Sequence, residues 1–400
     1  MKYIVLLCDG MADRAVPILD GKTPMQVAHK PNMDRICAMG EMGLVQTVPA
    51  GMNPGSDTAN LSVMGYAPEV YYTGRSPLEA VSMGIDLTLT DRTFRCNTVT
   101  LSEEEDYENK TMLDYSAGEI TTAESSELIR FVQEKLGDEI LTFYPGVSYR
   151  HCLVWKEAPN GFSFTPPHDI SDKKITNYLP SGEYGAKMLD LMKKSYELLK
   201  DHPINQARVA RGLRPANSIW LWGDGTKPAL KPFKEEYGLD GAVISAVDLI
   251  KGIGLCADMQ SIDVEGATGL INTNWDGKTA AAIAALKAGK DFVYLHMEAP
   301  DECGHHGDAK EKVESIEIID KKVLGPILEA FEGEELSVMI LPDHPTPIDC
   351  RTHVGDPVPY LIYRNTVSEG CGKIFTEETA ATTGCRFDNG PSLMKHFLGK

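Results

Sequence analysis

YIVLLCD (3–9), DFVYLHMEAPD (291–301) and LSVMILPDH (336–344) are mostly apolar runs that each end in an aspartate: Asp9, Asp301 and Asp343. His305 follows the second run by four residues, His344 adjoins the third aspartate, and His353 lies a little further on. Apolar runs of this kind predict buried strands of a parallel sheet. In such sheets ligands bind beyond the carboxyl ends of the strands. Carboxylates and imidazoles from distant segments are therefore expected to converge there, as in the metal site of an enzyme.

Outward from these runs, the first ninety residues read as strand 2–8, helix 24–39, strand 43–47 and a short helix after Ser56. From about 215 the alternation resumes, with strands expected at 219–223, 242–246, 292–296, 336–341 and 359–363. Helices are expected at 276–289, 309–330 and 391–398. Alternating strands and helices predict an α/β fold with a doubly wound, mostly parallel sheet flanked by helices. The middle differs: RTFRCNTVTL (92–101), DEILTFY (138–144), YRHCLVW (149–155) and GFSFT (161–165) suggest a smaller, partly antiparallel sheet. With helices near 124–136 and 183–200, it reads as an α+β domain, 91–213, inserted into a core domain made of 1–90 and 214–400.

Four hundred residues at 42% hydrophobic content can bury a full core, enough for two domains. No apolar stretch is long enough to span a membrane, and the N-terminus lacks a signal-peptide pattern. Nine scattered cysteines without a CxxC suit reduced thiols, so a cytoplasmic protein is expected. The net charge of −19 argues against nucleic-acid and anionic-membrane surfaces. An anionic small molecule stays compatible, because local arginines and metal ions outweigh the mean field inside a cleft.

NPGSDTANLSVMGY (53–66) places Ser56 at or near a helix N-terminus, where backbone N–H groups and the helix dipole favour an anion such as phosphate. Taken alone, Ser56 reads as an N-cap. Beside three Asp/His clusters it reads as a nucleophile, since metal coordination is one way to activate a serine hydroxyl.

Asp9, GSDTANLS (55–62), APDECGHHGD (299–308), LPDH (341–344) and His353 together resemble the alkaline phosphatase superfamily. The likeness is greatest to the cofactor-independent phosphoglycerate mutases of archaeal type. It runs through TGRSPLEA (73–80), FRCN (94–97), YRHCLVW (149–155), PAN (215–217), WLWGDG (220–225), GATG (266–269) and DPVPYLIY (356–363). The CxPxR-type nucleophile segment of sulfatases is missing.

The resemblance implies two divalent metal ions, Mn²⁺ first, with Zn²⁺, Mg²⁺ or Co²⁺ as alternatives, and no 2,3-bisphosphoglycerate. One ion would take Asp301, His305 and His353; the other would take Asp9, Asp343 and His344, with Ser56 touching it. His306, beside His305, leaves open which imidazole faces the metal. The implied reaction interconverts 3-phosphoglycerate and 2-phosphoglycerate through a phosphoserine at Ser56. The phosphoenzyme must not meet water, so a lid is needed, and the inserted domain is the candidate.

Arg150 and His151 on one strand, and His168 and Asp169 after two prolines, are candidates for holding the substrate carboxylate and moving a proton. His151 and Asp169 are the proton-transfer candidates; Arg150 and His168 are binding candidates. Arg208 and Arg211 suit bidentate contact with phosphate or carboxylate, and Lys278 resembles the family lysine that reaches the phosphate. A small phosphorylated hydroxy acid is the expected partner, and a monomer the expected state. A homoserine kinase-like phosphotransferase built on the same core is the alternative. A metal-dependent phosphatase or a catalytically silent homologue ranks behind it.

Overall fold

The computed structural model describes residues 1–367 and 369–400. The chain divides into two compact units, Met1–Tyr72 with Ala229–Lys400, and Thr73–Pro228.

The first unit is built on an eight-stranded sheet. Its strands lie in the order Gln260–Ser261, Gly241–Ile244, Phe292–Met297, Lys2–Cys8, Leu336–Leu341, Val358–Arg364, Glu41–Val45 and Arg386–Phe387. All neighbours run parallel except Val358–Arg364, which is antiparallel to both its partners. That reversal follows from its connection. Parallel neighbours need a crossover element, whereas 342–357 returns from Leu341 with no helix. The three apolar runs occupy the centre, and every residue of Phe292–Met297 and Leu336–Leu341 is buried. Ile4, Leu6, Val293, Leu295, Val338 and Ile340 form one continuous core with residues of the flanking helices.

Two helices expected to be continuous are broken, each at a proline. The stretch 24–39 divides into Pro24–Val27 and Pro31–Ala38, because Pro31 can open a helix but not sit inside one. The free amides of Asn32 and Met33 at the new N-terminus are capped by the Asp320 carboxylate, at 3.2 and 2.7 Å. The stretch 309–330 passes through a wide π turn at Ile319–Leu324 between Ala309–Ile318 and Gly325–Ala330. Pro326 has no N–H for the carbonyl of Lys322, and the Thr279 hydroxyl donates to that carbonyl instead (3.2 Å).

The second unit has a wholly antiparallel sheet. Arg92–Leu101 lies between Arg150–Trp155 and Ser218–Thr226, with Leu141–Tyr144 outside the former and Met112–Asp114 on the far end. Helices Thr122–Leu136 and Gly185–Leu199 contribute Leu128, Val132, Met188 and Met192 to its core beside Phe94, Leu153 and Trp220. The expected boundaries of 91 and 213 are corrected to 73 and 228. Strand 219–223 was expected in the core sheet, yet it hydrogen-bonds along Arg92–Val99. Helix Ser76–Ser82 joins the same unit through Ser76, whose hydroxyl bonds the carbonyl of Thr93 (3.1 Å).

Candidate active site

Register brings the first unit's residues together. Cys8 pairs with Met297 and Leu7 with Leu341, so three adjacent strands end nearly level. Asp9, Asp301, Asp343 and His344 therefore leave one edge of the sheet. Asp301 sits on helix Ala299–His306, and His305, four residues on, shares its face. His305 Nε2 lies 3.2 Å from Asp301 Oδ2, and His353 Nε2 lies 3.4 Å from Asp301 Oδ1. The two Nε2 atoms are 2.9 Å apart. The neighbouring His306 is exposed and lies 4.0 Å from Glu302, so His305 is the imidazole that faces the cluster. A second group shares Asp301: donor atoms of Asp9, Asp301 and His344 all lie within 4.8 Å of one another, and all three residues are buried. His344 Nε2 is 3.6 Å from Asp9 Oδ1, 3.3 Å from Asp343 Oδ2 and 3.1 Å from Ser56 Oγ.

Three buried carboxylates at one point repel each other strongly. Burial, then the Asp343 charge, pushes Asp9 well above the ordinary carboxylate range. Burial also acts to raise Asp301, but hydrogen bonds from His305 and His353 hold it well below that range. His305 is raised to about 9, first by its bond to Asp301. Asp9 Oδ1 is buried with no hydrogen-bond partner among the described residues, a costly state for a carboxylate oxygen in a protein interior. An orphaned oxygen aimed at a cluster of oxygen and imidazole donors fits divalent cations, and mixed donors of this kind suit Mn²⁺ or Zn²⁺.

A surrounding layer, missed in the sequence reading, orients these donors. His296 on the Phe292–Met297 strand approaches Asp9 Oδ2 at 2.9 Å, and its Nδ1 accepts from the Ser245 hydroxyl at 3.1 Å. Burial lowers His296 to about 3, so the ring is neutral and Nε2 donates. Asn60 donates to Asp343 Oδ2 (2.7 Å) and accepts from the Tyr294 hydroxyl (2.7 Å). The Thr346 hydroxyl bonds Asp301 Oδ1 and lies 3.3 Å from His344 Nδ1. Gly10, at φ +61°, leaves them room: a Cβ there would stand 2.6 Å from both Asp301 Oδ1 and Thr346 Oγ1. Two of these residues carried a signal. His296 interrupts an apolar run, and Asn60 falls four residues after Ser56 on the same helical face.

Ser56 is the first residue of helix Ser56–Val63, half-buried, with Gly55 at the N-cap. It is not the N-cap itself, so its hydroxyl is free to face His344 instead of the helix amides. Lys278 is fully buried on helix Trp275–Lys287, and its ammonium has no hydrogen-bond partner among the described residues. Burial lowers it to about 8, against the opposing pull of Glu298. A buried, unpaired cation of this kind is suited to receiving an anion.

The family model described as 2,3-bisphosphoglycerate-independent phosphoglycerate mutase matches residues 37–205. A probable 2,3-bisphosphoglycerate-independent phosphoglycerate mutase of Geobacter sulfurreducens is 48% identical over 402 residues, covering 100% of both chains. The chain belongs to this family, in its archaeal type. A phosphoglycerate mutase of the same description from Methanothrix thermoacetophila is 50% identical over 99% of each chain. Among solved structures, the PH0037 protein of Pyrococcus horikoshii matches with a TM-score of 0.83 and 31% identity, over 100% of this chain and 97% of its own. The cofactor-independent phosphoglycerate mutase of Thermoplasma acidophilum, 24% identical with a TM-score of 0.71 over 100% and 99% of the two chains, shares the fold.

Within this mutase family member the second unit's candidates divide into free and engaged groups. Arg150 is exposed at the start of its strand, over the Tyr149 ring at 5.5 Å. His151, next along, points to the opposite face and is buried. Its Nδ1 accepts from the Gly146 amide (3.0 Å), so Nε2 donates to Ser125 Oγ (2.6 Å). Burial lowers His151 to about 3. Both ring nitrogens of His151 are thus engaged inside the sheet's packing. Arg208 is engaged likewise. It is buried, and its three nitrogens bond Glu124, the carbonyl of Ala117 and the carbonyl of Arg214. Arg211, just past helix Pro203–Ala210, is exposed and shares Glu124. His168 and Asp169 are exposed on a short helical turn, His168 edge-on to Trp222 with ring centroids 5.3 Å apart. No helix among the described residues is long and apolar enough to cross a membrane.

Proposed function

We propose that this enzyme interconverts 3-phosphoglycerate and 2-phosphoglycerate without 2,3-bisphosphoglycerate, through a phosphoserine at Ser56. The observation that carries the reading is the Ser56 hydroxyl, at a helix N-terminus and 3.1 Å from His344 within a cluster of three buried carboxylates and three imidazoles. In the forward direction Ser56 Oγ attacks phosphorus, the bond from phosphorus to the 3-oxygen breaks, and glycerate is retained. The 2-hydroxyl then attacks the phosphoserine and restores the serine. Lys278 holds the phosphoryl oxygens through both transfers. Arg150, His168 and Arg211 are the groups proposed to hold the carboxylate, and Asp169 is the one proposed to carry the proton between the glycerate oxygens.

Asp301, His305 and His353 are proposed to hold one divalent ion; Asp9, Asp343, His344 and Ser56 are proposed to hold the other, with Mn²⁺ the first choice. When bound, such ions favour the ionised serine hydroxyl and neutralise charge on the transferring phosphoryl group. The unit Thr73–Pro228 is proposed as the lid that keeps water from the phosphoserine, and a monomer in the cytoplasm is the proposed state. The test is ³¹P NMR of the Mn²⁺-loaded protein with 3-phosphoglycerate and no bisphosphoglycerate. Growth of a 2-phosphoglycerate signal to equilibrium is expected. Inorganic phosphate alone would make the protein a phosphatase. No change would move the acceptor to another hydroxy compound, homoserine first.

A further inference from the structure

Lys312 takes no part in the proposed transfer, yet it is completely buried and fully bonded. It projects from helix Ala309–Ile318, and its Nζ lies 2.8 Å from Asp13 Oδ2, 2.8 Å from the carbonyl of Thr346 and 3.4 Å from the carbonyl of Ala12. Side-chain exposure is 0% for Lys312 and 1% for Asp13. Asp13 is equally committed: Oδ1 accepts from the Arg14 amide (2.7 Å), and Oδ2 accepts from the Ile348 amide (3.2 Å).

The chain positions of these partners matter more than their number. Asp13 follows Asp9 on the same loop, and Lys312 follows Asp301 and His305 on the next helix. Thr346 and Ile348 lie between His344 and His353. One buried ammonium thus ties together the three segments that carry the whole cluster. Thr346 extends the tie, since its carbonyl takes Lys312 while its hydroxyl meets Asp301 Oδ1. Stability alone gives little reason for such a pair, because a buried ion pair is often no better than a packed apolar pair of similar volume. Position is what it supplies. Groups one shell out from ligands set ligand orientation, and their loss typically weakens metal binding about 10- to 100-fold.

We propose that Lys312, held by Asp13, is a positioning residue that sets the relative placement of the Asp9, Asp301 and His344 segments and thereby the affinity of the cluster for its divalent ions. This rests on the reading of the cluster as a metal centre. It makes Lys312 a determinant of that centre although it is no ligand.

The experiment is Mn²⁺ titration of the metal-stripped full chain by calorimetry, with circular dichroism and the thermal midpoint of the metal-free protein as controls. The variant is the double replacement Lys312→Met with Asp13→Asn, which removes both charges and leaves neither buried alone. A folded double variant with a near-native midpoint and Mn²⁺ affinity lowered at least about tenfold is expected. Lys312→Gln, which keeps N–H donors for Thr346 and Asp13, is expected to lose about threefold, between the double variant and the native chain. Native affinity in the folded double variant overturns the proposal, as does native affinity in Lys312→Gln should the double variant not fold. Absence of Mn²⁺ binding by the native chain would instead remove the metal-centre reading, and the proposal with it.

Discussion

Replacing Asn60 by alanine tests the layer that orients the cluster. Asn60 is completely buried, donates to Asp343 Oδ2 at 2.7 Å and accepts from the Tyr294 hydroxyl at 2.7 Å. Truncation leaves the Tyr294 hydroxyl without its acceptor in the interior, at a cost of about 1–3 kcal/mol. It also removes a hydrogen bond to a charged carboxylate, about 1.5–3 kcal/mol. Alanine returns up to about 0.7 kcal/mol through its better helix propensity. The net loss expected is about 3 kcal/mol, measured on metal-free protein by urea denaturation followed by circular dichroism. Tyr294→Phe should cost about 1 kcal/mol, because it strands only the neutral Asn60 oxygen. The double mutant should show a coupling of about 1 kcal/mol, since the two losses share one bond. A cost below about 1 kcal/mol for Asn60→Ala, or strict additivity with Tyr294→Phe, would refute the reasoning.

Three further outcomes are expected. Ser56→Ala should lower turnover at least ~10⁴-fold and abolish the phosphoserine signal in ³¹P NMR; retained activity would remove Ser56 as nucleophile. Metal binding should be proton-linked: His305, raised to about 9 chiefly by Asp301, must lose its proton to act as a ligand. Mn²⁺ affinity measured anaerobically should therefore climb with pH, up to about tenfold per unit between the unfolded value near 6.5 and 9. Over the same window the metal-free fold should lose stability, because a raised histidine stabilises fully below about 6.5 and not above 9. A flat affinity profile would contradict the linkage. His151→Gln should cost about 1–3 kcal/mol of stability yet leave kcat within about twofold, while Arg150→Ala should raise KM; loss of kcat in a folded His151 variant would restore its catalytic role.

The site was legible in the sequence to the extent that its residues sit at the ends of buried strands. Asp9, Asp301 and Asp343 could be found because strand termination is visible as the end of an apolar run, and parallel strands end on one edge. The second unit's side chains were less legible. In YRHCLVW, Arg150 and His151 look equivalent, but strand alternation sends one to solvent and the other into the packing around Ser125. Arg208 reads as a substrate group because it fits the family's N-x-x-R pattern, and only the fold reveals Glu124 and two carbonyls around it. The domain boundary failed for a related reason: IWLWG is as apolar as the core strands, and composition does not say which sheet a strand joins. Lys312 and Asp13 lie about 300 residues apart in the chain, a distance no local pattern spans.

Strand Lys2–Cys8 sits between Phe292–Met297 and Leu336–Leu341, its two sheet partners among the described residues. During synthesis it is made long before either partner. Its first partner to follow, Phe292–Met297, lies about 280 residues further along the chain, a separation the ribosome covers in roughly 15–60 s at about 5–20 residues per second. Over that separation YIVLLC is an apolar segment without its sheet partners. The sheet of Thr73–Pro228 is different, because all its strands lie within one continuous stretch that emerges well before the core sheet can close. The birth of this molecule is thus ordered by its topology: the inserted unit has what it needs first, while the unit that carries the Asp/His cluster waits for the partners of its central strand.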